Sequence, residues 1–204
     1  MARTEEVIVG LDASRDADAV ATHVRSTLLL SSVQSLRAKG LYDRYVTHLD
    51  GADKEALLSS VAGVWLPMSI GMSHYRACEA LGLSLVEATQ MGHDVGNRVQ
   101  GSMLGVVMRA AKGSGVTPWM VLGQVGRLWD RTFQGGGGVS LTKLGPKEAR
   151  AELIGLPLMA VPYFRHAYRG AFMAAVELFS EKVYVTEVPS RQSDVSGAYR
   201  LSWV

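Results

Sequence analysis

The sequence predicts an α+β fold: a helical part over about residues 1–134, then a small antiparallel sheet over about 135–204 crossed by one long helix. Three observations carry that expectation. Apolar residues recur at three- and four-residue spacing through much of the first part. The run Gly135 to Gly138 stops that periodicity, because each glycine weakens a helix by about 1 kcal/mol relative to alanine. Beyond it, alternating apolar and polar residues take over, interrupted by one helical stretch, so the order reads β-β-α-β-β. Helices segregated from an antiparallel sheet define the class. The 204 residues fit one domain.

In chain order, Glu5 to Leu11 holds Val7, Ile8 and Val9, a short edge strand. Val24 to Ala38 is helical through Val24, Leu28, Leu29, Val33 and Leu36, and Gly40 closes it. Tyr42 to Leu49 fits no single period. Asp53 caps a short helix to Val61, and Gly63 to Pro67 breaks it. Ser69 to Leu81 is the next helix. Ser84 with Glu87 three residues on is a capping box, opening a helix that runs as far as Arg109 or Ala111. Leu85, Ala88, Met91, Val95, Val99, Met103, Val106 and Val107 form its inward stripe. Gly92, Gly96, Gly101 and Gly105 lie along it and allow another helix to come close.

Thr117-Pro118 reads as an N-cap with proline at the first helical position. Trp119, Leu122, Gly126 and Trp129 follow at helical spacing. After the glycine run, a flexible connector on this reading, Val139 to Leu144 and Ala149 to Ile154 alternate about a Gly145-Pro146 turn, the signature of a hairpin. Val161 to Phe179 is the crossing helix. Lys182 to Val188 and Tyr199 to Trp203 are the last strands, with Glu187 and Arg200 placed to pair across them.

Composition narrows the function classes. Hydrophobic residues make up 48% and charged residues 20%, which excludes a disordered chain. A net charge of +2, evenly spread, argues against a nucleic-acid surface. Cys78 is the sole cysteine, so disulfide frameworks and cysteine-type zinc sites are excluded. The start lacks the basic-then-apolar order of a signal peptide, and the apolar stretch Val61 to Met72 is too short to span a bilayer. A cytoplasmic protein is the expectation.

No residue set amounts to a catalytic centre. Gly135 to Gly138 is no phosphate loop, since no Gly-Lys-Ser/Thr follows. His74 and Cys78, four apart, share a helix face and are the one nucleophile pair on offer. His93 and His166 are the histidines a haem would use. The nine methionines lie mostly in apolar stretches, where they pack cores or border adaptable pockets. Trp65, Trp119 and Trp129 suit an interface, with one polar edge on an apolar ring. Candidates for lining a pocket or interface are therefore Trp65, Met72, His93, Met103, Trp119, Trp129, Tyr163, Arg165 and His166.

Several segments together resemble a myxobacterial paralogous family of unknown function. They include Val24 to Leu30, Trp65-Leu66-Pro67-Met68, His74 to Cys78, Gly115 to Trp119, Leu128 to Arg131, Gly145 to Arg150, Tyr163-Phe164-Arg165 and Tyr199 to Trp203. That family brings no assigned catalytic residues. The element order is also similar to a wider superfamily: vinyl-4-reductase-like domains, haem-NO-binding sensors and transport-protein-particle subunits. The resemblance implies a ligand or lipid pocket between the helical part and the sheet. It sets two tests. The vinyl-reductase-like domains carry cysteines near the last strands, and here there are none. The haem sensors use a proximal histidine and a Tyr-Ser-Arg type clamp, which Tyr163-Phe164-Arg165 matches only at its ends.

The resulting expectation is a non-enzymatic, regulatory or sensory module that holds a small apolar ligand or a protein partner. It requires no cofactor, with haem the outlying alternative. A homodimer assembled through the helix from Ser84 is the second reading, and a Cys78–His74 enzyme the third.

Overall fold

The computed structural model describes residues 5–11, 19–111 and 117–204, the side chains of 100–111 excepted. Strands β1 (Glu6–Val9), β5 (Gly138–Gly145), β6 (Glu148–Ile154), β7 (Val183–Glu187) and β8 (Ser196–Trp203) form an antiparallel sheet in the order β1-β5-β6-β8-β7. Helix α8 (Pro162–Glu177) crosses one face of it, with Tyr168 and Phe172 against Tyr199 at ring separations of 6.2 and 5.4 Å. The α+β class and the β-β-α-β-β order are thus as the sequence predicts. The short edge strand expected over Glu5 to Leu11 is β1, which pairs with β5 at one edge of this sheet.

The hairpin forms because alternation sorts its faces. Ala149, Ala151 and Leu153 of β6 are buried while the residues between them are half-exposed. The same period corrects one expected ion pair. Arg200 stands opposite Thr186, not Glu187. Glu187 therefore points to the α8 face, where it meets His166 and Arg165. Arg200 pairs with Glu148 across β6–β8 instead.

The helical part holds α1 (Ser26–Ala38), α2 (Tyr42–Thr47), α3 (Gly51–Leu58), α4 (Met68–Glu79), α5 (Leu85–Ala111), α6 (Pro118–Leu122) and α7 (Val125–Thr132). The capping box is made: the Ser84 amide donates to Glu87 Oε2 at 2.8 Å, and the Glu87 amide to Ser84 Oγ at 3.3 Å. Tyr42 to Thr47, which fits no period, is a helix wedged under Tyr45, a fully buried ring. Asp53 lies in the first turn of α3 rather than at its cap, which Asp50 occupies. The stretch after Thr117 divides at Gly123-Gln124 into α6 and α7, and Thr117 makes no side-chain cap bond.

A second sheet went unread in the sequence. Strands β2 (Ala21–Arg25), β3 (Trp65–Pro67) and β4 (Phe133–Gly135) pair antiparallel in the order β3-β2-β4. Its strands span three to five residues, too few for a period to show. It also revises the glycine run. Gly136 to Gly138 are buried, and the Gly136 amide donates to Val20 O at 2.9 Å. A Cβ on Gly136 would sit 2.4 Å from Ala19. The run is a packed joint between two sheets, not a flexible connector.

Among the described glycines, the tightest approach lies between α5 and α8. A Cβ on Gly92 would fall 1.7 Å from Ala167 O, and one on Gly170 would fall 1.9 Å from Thr89 O. A Cβ on Gly96 would come within 3.0 Å of Ala174 Cβ and 3.1 Å of Ala171 Cα. The close approach that the glycine spacing allows is therefore made within the chain. Gly101 and Gly105 lie outside the described side chains.

These distances set a stability prediction. G92A should lower the unfolding free energy by about 3 kcal/mol or more, at the upper end of overpacking costs. G51A, whose Cβ would meet nothing within 4 Å, should be neutral or slightly stabilising. Urea midpoints at constant m-value measure both.

Candidate functional site

An apolar cavity of about 100 Å³ lies between the helical part and the sheet. Helix α5 contributes Val95, Gly96 and Val99. Helices α6 and α7 contribute Val121, Leu122, Val125 and Leu128. Tyr168, Phe172 and Ala175 of α8, Leu28 of α1 and Val139 of β5 close it. Among the lining residues, Gly96, Ala171 and Ala175 are small and project little into the space. A second, smaller cavity of about 50 Å³ adjoins it and shares Leu28, Val95, Tyr168 and Ala171, with Gly92 on its own wall. A wider recess of about 330 Å³ shares Leu28, Val99 and Thr132 with the first cavity, and adds Arg25, Thr27, Gly63 and Arg131.

The nine sequence candidates are dispersed. Tyr163 lines the smaller cavity beside Tyr75 and Phe164. Trp65 lies under the Arg25 guanidinium at 4.3 Å. Met72 packs against the core from α4. Trp119 donates its ring N–H to Pro146 O at 2.9 Å and sits edge-on to Trp203 at 4.9 Å. Trp129 is buried against Phe133 at 4.8 Å, its ring N–H without an acceptor. Arg165 donates to Met159 O at 2.7 Å. His166 bonds Glu187 at 2.7 Å, and His93 bonds Glu177 at 2.6 Å. Met103 lies outside the described side chains.

The residues that do line the first cavity carry only a core signal in the sequence. Val95, Val99, Leu122 and Val125 belong to the helical stripes already read there. Nothing in a periodic stripe distinguishes a filled interior from one with a gap.

His74 and Cys78 lie elsewhere, sealed in the helical part. Both are fully buried. Cys78 Sγ is 3.8 Å from His74 Nε2, and Tyr45 Oη is 2.7 Å from His74 Nδ1. Burial pushes the Cys78 thiol far up and holds His74 down at about 3, so the pair stays neutral. A neutral thiol that lines none of these cavities is no nucleophile. No group of three or more potential metal ligands occurs among the described residues. Among them, too, no helix is long and apolar enough to cross a membrane.

The fold has solved neighbours. No family model matches the chain, and no curated protein matches it in sequence. Among solved structures, it is similar to one concerned with modulating haem redox potential through porphyrin distortion, at 10% identity and a TM-score of 0.54. That match covers 88% of this chain and 99% of the other. A structure solved to probe haem distortion in the H-NOX family matches at 11% identity and a TM-score of 0.52, covering 88% and 94%. One addressing H-NOX activation matches at 12% and 0.53, covering 88% and 96%. Of the superfamily resemblance read in the sequence, the haem-NO-binding branch is the one these neighbours support.

The described residues do not fit a haem in the first cavity. The first cavity is well below the roughly 300–1,000 Å³ of sites for drug-sized ligands. Its described lining holds no histidine, cysteine or methionine. Tyr168, the one wall residue able to ligate iron as a phenolate, is held neutral by burial. His93 and His166 are each tied to a glutamate away from the cavity wall.

Two outcomes follow from the buried pair. His74 binds its proton far less readily folded than unfolded. Its contribution is therefore complete above pH 6.5 and lost as pH falls toward 3. That loss approaches roughly 4–5 kcal/mol, and H74Q should flatten the acid limb of the stability profile. Cys78 should resist a thiol reagent at pH 8 in the native protein and react once urea unfolds it.

Proposed function

We propose that this chain is a non-enzymatic binding module, regulatory or sensory in role, that holds a small apolar ligand between its helical part and its sheet. The observation that carries the reading is the first cavity: set between α5, α6, α7 and α8, and walled almost wholly by aliphatic and aromatic side chains, several of them small. A dry apolar cavity of about 150 Å³ is enough to take up benzene or xenon, and this one is of that order. The likeness to haem-NO-binding domains supports the sensory part of the proposal, with the ligand changed. Here the space suits one ring or a short alkyl chain rather than a porphyrin.

Titration with benzene, followed by methyl NMR, tests it. Shifts should concentrate at Leu28, Val95, Val99, Leu122 and Val125. V125F should abolish them by filling the space, at a stability cost of about 1–3 kcal/mol. Shifts scattered over the surface, or unchanged in V125F, would sink the proposal. Haemin added to the purified protein should keep the broad absorbance of the free compound. A sharp Soret band would overturn the reading of the lining.

A further inference from the structure

The recess beside the apolar cavity is basic. Arg25 and Arg131 line it, together with Thr27 and Gly63, and no carboxylate stands among its described walls. Leu28, Val99 and Thr132 line both spaces, so the recess adjoins the cavity across these three side chains. Neither arginine is ion-paired among the described residues, whereas Arg150, Arg191 and Arg200 all are.

The recess is built rather than incidental. Trp65 holds the Arg25 guanidinium over its ring at 4.3 Å, which fixes the cation without neutralising it. Ser26 Oγ donates to Val61 O at 2.8 Å and accepts from the Val64 amide at 3.1 Å. The Ser26 amide donates to Val64 O at 2.9 Å. These bonds pin the loop that brings Gly63 to the rim. Thr27 and Leu28 belong to the first turn of α1, a helix of 13 residues, whose N-terminal dipole adds positive potential at the same place. On the far side, Arg131 stands in the last turn of α7.

We infer that the ligand is a single-chain carboxylate: an anionic head held at the mouth by Arg25 and Arg131, and a short alkyl tail threaded past Leu28 and Val99 into the apolar cavity. This rests on the binding-module reading and names its ligand class. A planar guanidinium matches a carboxylate in two parallel hydrogen bonds. A wall that is apolar except for Tyr168 and Thr132 disfavours a second polar group at the tail's end.

The probes are octanoate, octanol and octyltrimethylammonium, titrated calorimetrically against the full chain, R25Q, R131Q and V125F. Octanoate should bind at least about tenfold more tightly than octanol, as charged hydrogen bonds warrant, and the cationic amphiphile should bind weakest. R131Q, an exposed position on α7, should erase the octanoate preference while leaving octanol unchanged. R25K should keep the preference where R25Q loses it, which separates lost charge from a disturbed fold. V125F should weaken octanoate and octanol alike. Octanol and octanoate binding equally would overturn the carboxylate assignment and leave the apolar cavity standing. Failure of all three amphiphiles and of benzene would overturn both. A preference for octanoate that survives R25Q and R131Q would place the anion elsewhere and overturn the assignment too.

Discussion

The contact between α5 and α8 is the constraint on which the rest of the structure depends. At Gly92 and Gly170 the two helices approach until each glycine rests on the other helix's backbone. Only hydrogen can occupy those positions, so the pairing fixes both rotation and register of the two helices. Helix α8 is already bound to the large sheet through Tyr168, Phe172 and Tyr199. The α5 contact thereby locks the helical part onto the sheet, and a continuous core runs from Leu29 and Tyr45 through Phe164 to Leu201. The cavity begins where this seam opens. One turn beyond Gly92, the facing residues are still small, but α6 and α7 now form the opposite wall at a distance that the seam does not set.

Likeness of fold to the solved neighbours leaves the interior of this chain to its own side chains. The solved neighbours overlay 88% of the chain at TM-scores of 0.52–0.54, with 10–11% of residues identical. The contents of the fold are set by side chains, and here valine, leucine and aromatic rings line the space between the helical part and the sheet. Fold and ligand are separable properties. A scaffold with a seam of small residues and a wall of short helices can be opened or closed by a handful of substitutions without moving its strands.

Local signals made much of this legible. The Ser84–Glu87 box opens α5 because both partners lie within four residues. The Gly145-Pro146 turn and the alternation on either side define β5 and β6 for the same reason. The small sheet escaped notice because β2 finds its partners at Trp65 and Phe133, some forty and a hundred positions away, with strands too short to show a period. The tight joint at the glycine run was equally hidden, since four glycines look the same whether they are loose or pressed against Ala19. The candidate site divides along the same line. Trp65 was singled out for its amphipathic ring, and it does support the mouth, but through Arg25. Arg25 and Arg131 are unremarkable in the sequence, and only the fold brings them to one recess. The cavity itself is a missing volume, and a pattern of side-chain types does not encode the space between them.

The burial of Cys78 has a practical side. It is the chain's sole cysteine, and it sits behind Tyr163, Tyr45 and Ser32 with no accessible surface. The folded molecule thus presents no native thiol to alkylating dyes or spin labels. A cysteine placed by design on α7 or on the Gly63 loop would be the single reactive handle. Movements of the mouth relative to the sheet can then be followed spectroscopically without first removing the native residue and disturbing the polar chain around His74.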